Sequence, residues 1–272
     1  METFYFGRLN YNNKKQTDLK SLLKGNSFYR PKKSNYKYGI FCVEEINDDD
    51  LGKIYTGELV KIQDLKEEEV VKEHEITNEY IPDVISGKSR FYLLEKSHII
   101  AYNPYGKIIS PKAFCQTFVG VLMLSDDSLK IDAEIYPIND EYEFVNFLKK
   151  MTTISNIALN LTPSNPENRD IWKVTDDRLN SMNAGSYSEK IKAKPNQSLI
   201  IDELTESKIA MAEDGYGKVV AKGTDENGDS VEISTERKES VIKKEIFKDL
   251  MQSDQLKALK KVFMKILDRF KK

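Results

Sequence analysis

IDAEIYPINDEYEFVNFLKKMTTISNIALNLT, residues 131–162, changes its hydrophobic period twice. Residues 128–138 alternate apolar and polar side chains, as a half-buried strand does. Over 140–151, Phe144, Phe147, Leu148 and Met151 fall on one helical face, and 154–162 alternates again. Strand, helix and strand in succession form a supersecondary unit. This unit sets the expectation for the rest of the chain.

Downstream, 165–184 reads as a helix with Trp172 on its buried side, and 187–194 as a strand. Residues 201–217 read as a helix that Gly215 can end in the left-handed conformation. KVVAK (218–222) and SVEIST (230–235) flank Asn227-Gly228, a pair suited to the positive φ angles of a tight hairpin. Asp225, Asn227, Asp229 and Glu236 also fall at positions 1, 3, 5 and 12 of a calcium loop. Ser230 occupies position 6, where that loop needs glycine, and the flanks alternate like strands, so a turn is expected. The last helix, 253–270, carries Leu256, Leu259, Val262, Phe263, Ile266, Leu267 and Phe270 as one stripe, with a lysine-rich opposite face.

Upstream, 3–9 reads as a strand and 17–25 as a short helix capped by Thr17 and ended by Gly25. Residues 36–46 and 52–62 read as strands around the acidic turn 47–50. DLKEEEVVKEHEI (64–76) has little apolar periodicity and reads as an exposed helix or loop, with 64–88 as a flexible boundary. Residues 89–106 form a second hairpin pattern, followed by a helix with Ser110 as cap and Pro111 in its first turn. The expectation is an α+β fold with a mixed, largely antiparallel sheet, packed helices and a basic C-terminal helix. Residues 1–109 form a β-rich region and 110–272 an α+β region.

The formal net charge of −2 conceals segregation along the chain. Residues 1–43 carry nine Lys/Arg against two Asp/Glu, and 237–272 carry twelve against five. Residues 44–83 carry four against fourteen. Two basic ends around an acidic body suggest a polyanion surface on which those ends converge. The C-terminal candidates are Lys243, Lys244, Lys248, Lys257, Lys260, Lys261, Lys265 and Arg269, with Lys271 and Lys272 beyond them. The N-terminal candidates are Arg30, Lys32, Lys33 and Lys37, interleaved with Tyr29, Tyr36 and Tyr38 on which bases could stack.

The apolar run 118–124 is too short to cross a bilayer, no signal peptide is evident, and the two cysteines, Cys42 and Cys115, form no paired motif. A cytoplasmic protein with reduced thiols is expected. His74 and His98 lack the spacing of a zinc site. No GxSxG elbow, Walker loop or GxGxxG is present, so neither a cofactor nor a catalytic residue is assigned. The alternative is a Mg²⁺-dependent nuclease built on Asp132, Glu134, Glu236 and Lys238. A third reading is a protein-sensing adaptor whose basic ends meet an acidic partner.

Four stretches carry a family resemblance: METFYFGRLN with TDLKSLL, SRFYLLEKSHIIAYNPYGKIISPKAF, GKVVAKGTDENGDSVEISTE, and the lysine-rich helix 253–272. In order and local character the chain resembles the RexA-type proteins of prophage exclusion systems. The resemblance implies a dimeric α+β protein that binds DNA with little sequence preference. It implies activation of a small membrane-protein partner in abortive infection, with a phage protein as possible trigger. No catalytic residues carry over. Only the basic tail does, at Lys257, Lys260, Lys261, Lys265 and Arg269.

Overall fold

The computed structural model describes residues 1–12, 18–72, 74–125, 132–164, 169–237, 240–248 and 250–271. In chain order the strands are β1 (Glu2–Asn12), β2 (Tyr36–Asp48), β3 (Gly52–Lys72), β4 (Glu75–Leu94), β5 (Ile99–Tyr102), β6 (Asp132–Pro137), β7 (Thr153–Leu161), β8 (Tyr187–Lys192), β9 (Gly217–Thr224), β10 (Ser230–Ser234) and β11 (Lys243–Ile246). The α-helices are α1 (Leu19–Leu23), α2 (Pro111–Leu124), α3 (Glu143–Lys149), α4 (Lys173–Ser181), α5 (Glu203–Met211) and α6 (Gln252–Leu267). The strands form two antiparallel sheets, so the protein has an α+β fold with a lysine-bearing C-terminal helix.

The first sheet runs β11-β1-β5-β4-β3-β2, and β6 lies beside the second half of β1, end to end with β11. Its strands alternate in earnest. Tyr5, Leu9, Tyr55, Phe91 and Tyr102 point to one face, where α1 and α2 supply Leu22, Leu23, Phe114 and Phe118. Phe4, Phe6, Ile54, Tyr92 and Ile99 point to the other face, where α6 supplies Leu256, Leu259, Phe263 and Ile266. Phe6 and Phe263 meet edge to face at 5.3 Å. Each such buried side chain contributes about 1.5–3 kcal/mol relative to exposure. Both faces of this sheet are therefore covered, by different ends of the sequence.

The second sheet runs β10-β9-β7-β8 and packs one face against α3 and α5, around Phe144, Leu148, Leu159, Ile209 and Val219. The expected strand–helix–strand unit thus exists in sequence but is divided between sheets: β6 pairs with β1, and β7 with β8 and β9. Period reading finds each strand but not its partner. The crossing point is pinned by three backbone bonds. Ile138 N–H donates to Phe6 O (3.0 Å), Phe6 N–H to Ile242 O (3.0 Å), and Ile242 N–H to Ile138 O (2.8 Å). Strands from both sides of residue 109 build the first sheet.

The late hairpin forms as read. Gly228 has φ +82°, and Asp225 Oδ1 accepts from the Asn227 and Asp229 N–H groups at 2.9 and 3.0 Å. Ser110 caps α2, and Gly215 adopts φ +86° after α5. Asp18, not Thr17, caps α1 through the Lys20 and Ser21 N–H groups; Thr17 lies outside the described residues. The larger correction concerns 64–88. This segment is no helix or loop: β3 and β4 stay paired from Leu65↔Pro82 out to Lys72↔Glu75 as a two-stranded arm. Its strand character comes from cross-strand hydrogen bonding rather than burial, so it left little apolar periodicity. No helix among the described residues is long and apolar enough to cross a membrane.

Candidate nucleic-acid interface

The apolar stripe of α6 is held by the first sheet, which turns the opposite side of the helix outward. Lys257, Lys261 and Lys265 recur there every four residues, a rise of about 6 Å per step. They rim a groove of about 730 Å³ whose lining holds five cations, Lys257, Lys260, Lys261, Lys265 and Arg269, against the carboxylates Glu141 and Asp268. Lys257 reaches Asp254 at 3.1 Å and Lys265 reaches Asp140 at 3.1 Å, all four side chains being well exposed. Exposed pairs of this kind are worth about 0–1 kcal/mol, so a phosphate can exchange with the carboxylate. Lys261 makes no ion pair among the described residues. Lys260 is committed: it bridges Asp48 (2.8 Å) and Asp50 (2.6 Å) across the β2–β3 turn, and the hydrogen bonds it donates to these two carboxylates raise its pKa.

Arg269 behaves differently from its lysine neighbours. It lies in a 3₁₀ turn, Asp268–Lys271, and is only 5% exposed. Its Nη1 donates to Asn139 O (2.9 Å) and to Asp214 Oδ1 (3.3 Å), while Nη2 has no partner among the described residues. Asp214 is the centre of a buried charge cluster. Its Oδ2 accepts from Arg169 Nη1 and Trp172 Nε1, both at 2.9 Å. Arg8, fully buried, donates from Nε to the Asp214 carbonyl (2.9 Å) and from Nη1 to Ser97 O (2.7 Å). Its guanidinium lies 4.5 Å from the Tyr216 ring and 4.7 Å from the Phe270 ring. Asp214 sits in a π-turn, Ala212–Tyr216, that places it between β1, the segment before α4 and the chain's end. Beside it, Glu213 accepts from Phe144 N–H at 2.7 Å, and burial pushes its carboxyl up to about 7. Arg269 therefore joins the two sheets and is withdrawn from the proposed surface.

The remaining cations do not converge on α6. Lys243 and Lys244 lie on β11 at the edge of the first sheet, and Lys248 follows; all three are exposed. Arg30, Lys32, Lys33 and Lys37 sit at the far edge and on the other face. Tyr29 of that segment rests on α2, so closely that a Cβ at Gly120 would come within 2.6 Å of its ring. Lys37 is paired with Asp83 (2.7 Å) and Asp64 (3.6 Å), and Arg30 with Asp64. Tyr36 and Tyr38 pack against the core, and Lys61 covers Tyr36 at 4.0 Å. The sheet itself separates the N-terminal cations from α6, so the two basic ends do not form the expected single surface.

The carboxylates considered for a nuclease are partly brought together. Glu134 and Glu236 line one groove of about 860 Å³, together with Cys115. Glu236 is paired with Lys218. Lys238 and the Asp132 side chain lie outside the described residues. No group of three or more His, Cys, Asp or Glu suited to a metal occurs among the described residues. Cys115 donates to Tyr102 Oη at 3.3 Å, and desolvation pushes its thiol up to about 12, which suits a core thiol rather than a nucleophile. The His98 ring lies tilted against that of Tyr11, centroids 4.8 Å apart, while His74 is exposed at the arm's tip.

Sequence reading missed Arg8, Arg169 and Asp214, because charged residues carry no sign of burial. Arg269 did carry one: stepping three residues on from Ile266 along the buried stripe lands on it. No curated protein matches the chain. Residues 2–264 match the family described as "Domain of unknown function (DUF4747)", and the chain belongs to that family.

Proposed function

We propose that the protein binds the phosphate backbone of DNA along the α6 groove, without strong sequence preference and without acting on it chemically. The observation that carries this reading is the ladder of Lys257, Lys261 and Lys265 on a helix whose other side is fixed in the core. Lysine is a flexible point charge and lacks the planar fork that reads base edges, so it suits backbone contact. In keeping with the resemblance to prophage-exclusion proteins, the binding would serve an abortive-infection response that passes a signal to a small membrane partner, with a phage protein as trigger. The test is a salt series with labelled duplex and single-stranded DNA. Three neutralised phosphates give a log–log slope of about −2.7 on duplex DNA. Absence of binding at low salt would overturn the reading.

A second reading rests on Glu134 and Glu236 sharing a groove. If these carboxylates hold Mg²⁺ for phosphodiester hydrolysis, intact DNA disappears only with the metal present, and Glu134→Gln or Asp132→Ala stops it. Intact DNA on a denaturing gel after incubation with Mg²⁺ would remove this alternative.

A further inference from the structure

The β3–β4 arm is the largest feature that neither core nor groove explains. Residues 64–83 carry eight acidic side chains against two lysines. The register places Leu65, Val71, Ile76 and Tyr80 on one face, with Glu67 and Glu69 among them. Those four apolar residues are 55%, 75%, 72% and 62% exposed. A two-stranded ribbon is marginal in water unless something covers a face of it. Its cover must offer apolar surface ringed by cations.

This chain has such a surface. Just past β11, Phe247 and Met251 are 70% and 76% exposed. Lys243 and Lys244 precede them on opposite faces of β11, Lys248 follows Phe247, and none of the three makes an ion pair among the described residues. β11 pairs only with β1 among the described strands, so its outer edge offers free backbone groups. Tyr5 lies opposite Tyr102, Tyr102 opposite Phe91, and Phe91 opposite Gly57. The Glu2 end of β1, against Ile246, therefore points the same way as the arm. Three strand spacings, about 14 Å, separate β11 from β4.

We propose that the arm of one copy docks on the β11 edge of a second copy, each copy giving its arm to the other. Acidic–apolar surface then meets basic–apolar surface twice across one two-fold axis, a closed and self-complementary arrangement. The α6 ladder stays free, so the proposal does not rest on DNA binding. It also assigns Lys243, Lys244 and Lys248 to the protein interface.

Sedimentation equilibrium without nucleic acid tests it. The parent should be a dimer at micromolar concentration, weakening with added salt. Glu67→Lys/Glu69→Lys and, separately, Lys243→Glu/Lys244→Glu should each raise the dimer dissociation constant at least tenfold. An equimolar mixture of the two variants should dimerise again, because each reversed arm then meets a reversed edge. That recovery also shows that both variants are folded. A monomeric parent, variants that dimerise like the parent, or a mixture that stays monomeric would overturn the proposal. Lys257→Glu/Lys261→Glu should leave the dimer intact, which separates this outcome from that of the DNA reading.

Discussion

Lys265 and Arg269 stand four residues apart at the end of the chain, and the fold uses them oppositely. The Lys265 side chain is 67% exposed beside Asp140, whereas that of Arg269 is 4% exposed against Asp214. The difference comes from the apolar stripe of α6. Lys265 follows the outer ladder, while Arg269 continues the buried side through the tightened 3₁₀ turn. Like charges in one sequence run thus divide into a buried set that joins the sheets and an exposed set that a ligand can reach.

The buried set should show the largest effect. Asp214→Asn leaves Arg169 and Arg269 without the carboxylate they share and should cost about 3–5 kcal/mol of stability, read by chemical denaturation. A loss under 1 kcal/mol would mean that the cluster does not hold the sheets together.

Glu213 sharpens the same contrast through pH. Its folded pKa, near 7, is above the unfolded value of 4.5 because of burial. The folded protein keeps the proton longer, so this group lowers stability as pH rises from about 4.5 to 7, and the loss is complete above that. The expected size is about 3 kcal/mol. Glu213→Gln should gain on the parent by that amount between pH 4.5 and 7.5, with the Phe144 bond kept. Parallel stability curves for the two proteins would contradict this.

The exposed set should barely affect folding. Lys265→Ala should change stability by no more than about 0.5 kcal/mol, since its pair with Asp140 is a surface one. A larger loss would place Lys265 with the buried set.

The same division explains what could be read in advance. The hairpin at 218–235 was legible because Asn227-Gly228 supplies the turn locally, and α6 because its stripe recurs over four turns. The arm was not, because Leu65, Val71 and Ile76 face solvent and only pairing makes them strands. The split between β6 and β7 was hidden because alternation does not name a neighbour. The Asp214 cluster joins residues 8, 169, 172, 214 and 269, a set with no common spacing. The α6 lysines could be listed from sequence. Their separation from the 30–37 patch depends on which face of the sheet each segment covers.

The most direct test measures duplex DNA binding at low salt for the parent and for Lys257→Glu/Lys261→Glu/Lys265→Glu, with the stability of both checked by denaturation. Binding should fall at least a hundredfold in the variant while its stability stays within about 1 kcal/mol of the parent. Equal binding by the two proteins, or none by the parent, would contradict the assignment of α6 as the DNA surface.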